Sequence, residues 1–300
     1  MAACPSCGHG ETQTRYDFGS NRIVRCVHCE LMYLDPWPTE EETRAVYGED
    51  YFHNRYFMRG ENSQLFGYFD YVAERFNKQP QYARIAREIA ALLADRGRRP
   101  RLLEVGCGLG YFLDVAFEED FDVIGLEFNP HAVARLRRKY AFPILSGSLL
   151  DTPLEPASLD AVVLFDVIEH LRDPFTALDR LHAALAPGGL LVLSTPDADS
   201  RVSRAIGRRL EDFRRTREHL FFFGRKTLAR ILADHGFGVV TIRSIGHTFD
   251  LALLLDRLSL VYHRQLFQTL KRIATRLGVG SLQVYVNPHT KMIAFARRIG

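Results

Sequence analysis

Outside one cluster this 300-residue chain has almost no cysteine: four of its five fall within the first tenth. A chain of this length can bury a full core without disulfides, so the clustering points to a metal site and not to a cross-linked framework. Long apolar runs are missing too. Aliphatic stretches such as residues 251–255 are far short of a membrane span. The opening MAACPSCGHG lacks the basic-then-apolar layout of a secretory leader, which makes a cytoplasmic location the expectation. A net charge of +3 is too small to imply a nucleic-acid partner. There is no internal repeat and no low-complexity segment. What remains, 47% hydrophobic and 25% charged, is the balance of an ordinary globular protein with a main domain and additions.

The chain divides into residues 1–40, which carry the cysteines and a short alternating stretch; 41–97, helical and rich in aromatics; and 98–300, which alternates apolar runs with helical patterns. The last segment predicts strands at 101–105, 121–127, 142–146, 159–165, 190–195 and 238–244. A long amphipathic helix over 250–277 precedes a final strand. Such alternation implies a parallel sheet with helical crossovers. Asn129-Pro130 and Asp173-Pro174 are cap-plus-N1 pairs that start helices, and Pro187-Gly188-Gly189 cannot continue one.

Cys4-x-x-Cys7 and Cys26-x-x-Cys29 are two knuckles eighteen residues apart, with Gly8 suited to the tight turn behind the first. Four sulfurs complete a tetrahedral zinc shell and leave no open position, so the expected ribbon is structural.

Leu102-Leu103-Glu104-Val105-Gly106-Cys107-Gly108-Leu109-Gly110 reads as a strand entering a glycine-rich turn and then a helix. Gly106 permits the turn, Gly108 lets a ligand approach the backbone, and Gly110 allows close packing. The helix N-terminus beyond presents free amides to an anionic group. Glu127, twenty-one residues after Gly106, ends the next strand where a carboxylate can accept from a ribose diol. Tyr111 stands where a dinucleotide fingerprint has its last glycine, which argues against nicotinamide. Glu104 lies where an acid can meet the amino group of a methionine moiety. Cys107 reads as a small loop residue.

EVGCGLG, LEFNP, LDAVVLFDVIEHLRDP, LAPGGLLVLSTP and HLFFFGRKTLARILADHGF occur in the order seen in class I S-adenosylmethionine-dependent methyltransferases. The chain most resembles the branch related to ubiquinone-pathway O-methyltransferases and to sugar and natural-product methyltransferases, including its subset with an N-terminal zinc ribbon. The resemblance covers nearly the whole chain, more loosely over 245–300. It implies an α/β fold: a Rossmann-like, seven-stranded, mostly parallel sheet with helices on both faces, plus the ribbon and a helical cap. It implies that Glu104, Gly106, Cys107, Gly108 and Gly110 hold the methionine part of adenosylmethionine, and that Glu127 holds the ribose with Phe128 beside the adenine. Ser148 and Leu149 fall near the adenine amine, Ser148 replacing the family's Asp. Phe165 and Asp166 would lie beneath the sulfonium.

Two histidines are candidate bases: His170, just past the fourth strand, and His219, in the excursion after the fifth and slightly preferred. Asp166-x-x-Glu169-His170 is similar to the acidic-plus-His cluster that binds a divalent metal such as Mg2+ in ubiquinone-type relatives, but Asp166 replaces a longer carboxylate, which counts against it. Ten of the 34 aromatic residues lie between positions 47 and 76; Tyr51, Tyr68 and Tyr71 are expected to reach the cleft from the cap. The seven arginines between 201 and 217 read as a solvated face, or as a rim attracting an anionic acceptor. Leu266, Leu270, Ile273 and Leu277 repeat at helical spacing and are expected to cover core or form a homodimer face, ahead of a membrane-surface contact. The expected activity is methylation of an O or C acceptor on a small molecule, sugar or lipid-linked saccharide. The alternatives are a zinc-ribbon RNA methyltransferase, which the three ribbon arginines support poorly, and a non-catalytic cofactor-binding protein.

Overall fold

The computed structural model describes residues 3–47, 51, 58–59, 65–66, 75–261 and 263–300. The chain begins with a meander of β1 (Thr12–Asp17), β2 (Arg22–Cys26) and β3 (Met32–Asp35). Next comes α1 (Glu40–Val46), opened by a reciprocal cap in which the Glu42 amide donates to Thr39 Oγ1 and the Thr39 amide to Glu42 Oε2. The pair β4 (Met58–Arg59) and β5 (Leu65–Phe66) and the helix α2 (Arg75–Leu92) lead to the main sheet. There β6 (Arg101–Val105), α3 (Tyr111–Glu118), β7 (Asp122–Glu127), α4 (Pro130–Lys139), β8 (Ile144–Ser146), β9 (Leu159–Phe165), α5 (Pro174–Ala184) and β10 (Leu185–Pro196) alternate. After them come α6 (Arg201–Ile206), α7 (Glu211–Arg214), β11 (Phe221–Phe222), α8 (Arg225–Asp234) and β12 (Phe237–Ser244). The chain ends with β13 (His247–Asp250), α9 (Leu251–Val261), α10 (Arg264–Arg276), β14 (Gln283–Val286) and β15 (Lys291–Arg298).

The seven-stranded sheet has the order β12-β15-β10-β9-β6-β7-β8, with β15 antiparallel to both neighbours and the other pairs parallel. This is the α/β architecture expected. Side chains alternate between two cores, as strand pleating requires. Leu103, Val105, Leu191 and Leu193 pack with α5, α8 and the ribbon on one face. Leu102, Val163, Leu190 and Val192 pack with α2, α3 and α4 on the other. The caps formed as expected: Asn129 Oδ1 accepts from the amides of His131 and Ala132, and Asp173 Oδ1 from Thr176.

Three features differ from the expectation. The fifth strand begins at Leu185, not 190, because the Pro187-Gly188-Gly189 bulge still lets Leu185 pair with Leu159. The long helix over 250–277 is two helices, α9 and α10, with His263 extended at the start of the second (φ −74°, ψ 91°). The ribbon is not a separate appendage. β11, from the connection after β10, pairs with β3 to make one four-stranded sheet, β1-β2-β3-β11.

Candidate active site

In sheet order β6 lies between β9 and β7, so the chain reverses its direction of travel at the C-terminal ends of β6 and β9, where open α/β sheets bind ligands. Gly106 leaves β6 at φ +69°, and a Cβ there would lie 2.5 Å from Val167 Cγ2. Gly110, at φ +78°, would clash with Tyr140 and Leu136 of α4 at 2.8 and 2.9 Å. Only glycine fits either position. Glu127 is buried at the end of β7 and ties the loop down, accepting from the Gly108 amide on Oε2 (2.7 Å) and the Asn129 amide on Oε1 (2.8 Å). Burial raises its proton affinity against the pull of these amides. Glu104 is also buried, and its Oε2 has no hydrogen-bond partner among the described residues. Burial, then the charge of Glu127, pushes its carboxyl well above the usual range.

Among the other loop candidates, Cys107 is buried and its Sγ would contact a Cβ on Gly125 at 2.9 Å, so its thiol faces the sheet as a packing group. Phe128 is half-exposed, edge-on to Tyr47 at 6.2 Å. Leu149 is buried, and the Ser148 hydroxyl accepts from the Leu150 amide (3.1 Å), closing its own turn. Phe165 stacks on Tyr82 (5.2 Å) and meets Phe112 edge-on (4.9 Å).

Asp166 follows β9 at φ +56°, a conformation rare for a residue with a side chain. Its Oδ1 accepts from Ser194 Oγ (3.0 Å) and its Oδ2 from Lys291 Nζ (2.5 Å). Burial alone would raise its carboxyl, but Lys291 holds it down to about 2. Asp166 is thereby engaged by Lys291, in keeping with the sequence reading that disfavoured a metal on Asp166, Glu169 and His170. The groups brought within 4.8 Å of one another are Glu169, His170 and His219. Two imidazoles and one carboxylate suit a borderline transition ion and poorly serve Mg2+, which prefers oxygen ligands.

The two histidines do meet: their rings stand perpendicular, 4.7 Å apart. Tyr47 Oη lies 3.2 Å from His170 Nδ1, and Tyr51 donates to Glu218 Oε2 (2.8 Å). Tyr51 thus reaches the cleft as expected, whereas Tyr68 and Tyr71 lie outside the described residues. Glu218 is buried against Arg215 (2.8 Å), a residue whose place in an arginine-rich run suggested a solvated face. His219 Nδ1 and Glu169 Oε1 are buried without a partner among the described residues, while Glu169 Oε2 accepts from Thr195 (3.0 Å). Burial, then the charge of Arg215, lowers both imidazoles, His170 to about 3 and His219 well below its usual value. Burial and the charge of Asp166 raise Glu169 to about 8. Tyr47, Thr195, Arg215, Glu218 and Lys291 were not read from the sequence; only the i,i+3 spacing of Arg215 and Glu218 hinted at a pair.

On the ribbon, Cys4 and Cys29 sulfurs lie 3.5 Å apart, Cys7 and Cys26 sulfurs 3.6 Å, and all four within 4.8 Å. Tetrahedral Zn–S bonds of about 2.3 Å place sulfurs about 3.8 Å apart, so the set fits a zinc ion.

A family model described as a methyltransferase domain matches residues 75–242. A probable S-adenosylmethionine-dependent methyltransferase of Mycolicibacterium smegmatis is 36% identical over 165 residues, 54% of this chain and 61% of that protein. A ubiquinone biosynthesis O-methyltransferase of Cereibacter sphaeroides is 30% identical over 131 residues, 42% of this chain and 50% of the relative. The chain thus spans under two thirds of these relatives. A solved SAM-dependent methyltransferase from Archaeoglobus fulgidus shares the fold at TM-score 0.51 and 17% identity, covering 77% of this chain and all of that one. The glycine loop, the two acids that flank it and the sheet order all lie in or around the matched span, and the chain belongs to the class I S-adenosylmethionine-dependent methyltransferase family.

Proposed function

We propose that this protein transfers a methyl group from S-adenosylmethionine to an oxygen or carbon acceptor on a small molecule, sugar or lipid-linked saccharide. The observation that carries this reading is the buried, unpartnered Glu104 oxygen beside the positive-φ glycine loop. A carboxylate left without a donor in a buried site is costly, and a cationic amino group removes that cost. Glu104, Gly106, Gly108 and Gly110 would hold the methionine moiety, Glu127 the ribose, and Phe128 with Ser148 and Leu149 the base. When bound, adenosylmethionine supplies an electrophilic methyl on a sulfonium.

Burial keeps His170 and His219 neutral, so each can accept a hydrogen bond from an acceptor hydroxyl, while the same burial weakens both as bases until a carboxylate ionises beside them. His219, with a ring nitrogen unpartnered among the described residues, is the favoured base, and Glu169 beside it would have to release its own proton to offset the charge of an imidazolium. Four cysteines, Cys4, Cys7, Cys26 and Cys29, would hold a structural zinc. An RNA acceptor finds little support in the ribbon, where Arg22 and Arg25 are paired with Asp35 and Glu30. Calorimetry tests the reading: adenosylmethionine and its demethylated product should bind and NAD should not. Binding of NAD with equal affinity would overturn it.

A further inference from the structure

The last hairpin of the sheet, β12 to β15, is interrupted by residues 245–290, which carry α9 and α10. Ser244 pairs with Met292 on one side of β15, and Pro196 at the end of β10 pairs with Lys291 on the other. The insertion therefore leaves the sheet at the C-terminal edge of the parallel strands, the edge that carries the glycine loop. Lys291, at its base, is the residue that holds Asp166.

Among the described residues, α10 packs mainly against α9, by one side. Gln268 donates to Asp256 and Ser259 of α9 (both 2.8 Å), Lys271 pairs with Asp256 (2.6 Å), and Ala274 is buried. On the other side Leu266 (52%), Leu270 (39%), Ile273 (48%) and Leu277 (71%) form an exposed aliphatic stripe. These are the residues expected to cover core or to form a homodimer face. Val279 and Leu282 extend the apolar surface past the helix end. Arg264, Arg272 and Arg276 are exposed on the same helix, and no Asp or Glu occurs after Asp256 in the chain.

An aliphatic stripe on a helix whose own charged side chains are all cationic is complementary to an anionic bilayer, whose acyl region takes the stripe and whose headgroups take the arginines. A second copy of the chain fits less well. A twofold contact through α10 sets the same patch against itself and so brings arginine against arginine. We propose that α10 docks on an anionic membrane surface, holding the cleft edge of the sheet at the bilayer. Resting on the methyl-transfer reading above, this selects the lipid-linked or otherwise amphiphilic members of its acceptor class.

Flotation of the full chain with vesicles tests the docking without any turnover. Vesicles of phosphatidylcholine mixed with phosphatidylglycerol should carry the protein upward, those of phosphatidylcholine alone should not, and added salt should weaken the association. The variant Leu270→Glu/Ile273→Glu should lower the bound fraction at least tenfold, as should Arg272→Glu/Arg276→Glu. Both should keep the parent melting temperature, because the substituted side chains are exposed. Adenosylmethionine affinity, measured by calorimetry on the same proteins, should not change, so that its absence in the parent would count against methyl transfer and not against docking. No flotation with the anionic vesicles, or equal flotation with neutral ones, would overturn the proposal. So would a dimer in sedimentation equilibrium that Leu270→Glu/Ile273→Glu dissociates, which would make the stripe a contact between copies.

Discussion

The amide of Leu34, on the last ribbon strand, donates to the carbonyl of Leu220, and the amide of Leu220 donates in turn to the carbonyl of Glu169 (2.9 and 2.8 Å). Leu220 directly follows His219. A backbone path of two hydrogen bonds therefore joins a cysteine-bearing sheet to both sides of the histidine pocket. The ribbon's core, including Cys4, Cys26 and Leu34, is continuous with Phe221, Phe222 and Phe223.

Loss of the proposed zinc should therefore act beyond the N-terminus. In Cys26→Ser, zinc content should fall and the Leu220 amide should exchange faster with solvent. Adenosylmethionine affinity should change little, because the glycine loop hangs on β6 and β7 and not on the ribbon sheet. Hydrogen exchange followed by mass spectrometry reads this directly. Equal exchange at Leu220 with and without zinc would show that β11 holds its place unaided.

Glu104 and Glu127 should respond differently to removal of charge. Glu127 already accepts two loop amides, so Glu127→Ala should loosen the loop and also weaken adenosylmethionine binding by about 1–3 kcal/mol. Glu104→Gln replaces a buried carboxyl, held protonated by its surroundings until a cation binds, with a neutral amide. It should leave the melting temperature of the ligand-free protein near the parent value while lowering cofactor affinity. Thermal melts and calorimetry on both variants check the pair; a Glu104→Gln protein that binds as tightly as the parent would place the amino group elsewhere.

At Gly106 two penalties coincide, the positive φ and the contact with Val167. Gly106→Ala should destabilise the protein by about 1–3 kcal/mol and abolish most cofactor binding. Adding Val167→Ala should relieve the contact but not the backbone strain, giving partial recovery of stability. Full recovery in denaturant unfolding would mean that φ strain contributes little.

The parts of this structure that were legible in the sequence are those governed by local chemistry. Asn129-Pro130 and Asp173-Pro174 mark helix starts because a cap oxygen and the amides that donate to it lie within three residues. The glycine loop could be read because Gly106 and Gly110 have no substitute there. The break between α9 and α10 was hidden, since neither Pro nor Gly marks it and the leucine spacing runs on. Asp166 with Lys291, 125 residues apart, left no local trace. Arg215 looks in the sequence like the exposed Arg217, but the fold buries it against Glu218. The same limit explains why the aliphatic stripe of α10 reads from sequence as core cover or a dimer face: periodicity reports an apolar face, not what covers it.

The histidine pocket should leave two opposed marks on the pH dependence of stability. His170 is held at about 3 against an ordinary 6.5, so below pH 6.5 the unfolded chain binds a proton that the folded one refuses. Stability from this group is present above pH 6.5 and lost as pH falls toward 3. Glu169 is raised from 4.5 to about 8, so the folded chain keeps a proton that the unfolded one has released; its contribution is present below pH 4.5 and lost as pH rises toward 8. His170→Gln should flatten the acid limb and Glu169→Gln the alkaline limb of a denaturant-midpoint profile. Turnover adds an independent reading. With a hydroxyl acceptor, His219→Ala should cost roughly 10²–10⁴ in single-turnover rate at little change in cofactor affinity. With an acceptor that is already acidic, alignment dominates and the loss should be far smaller. Rates and pH profiles identical to the parent in both His170→Gln and His219→Ala, with a hydroxyl acceptor bound, would remove the imidazoles from the chemistry and leave Glu169 as the group to test.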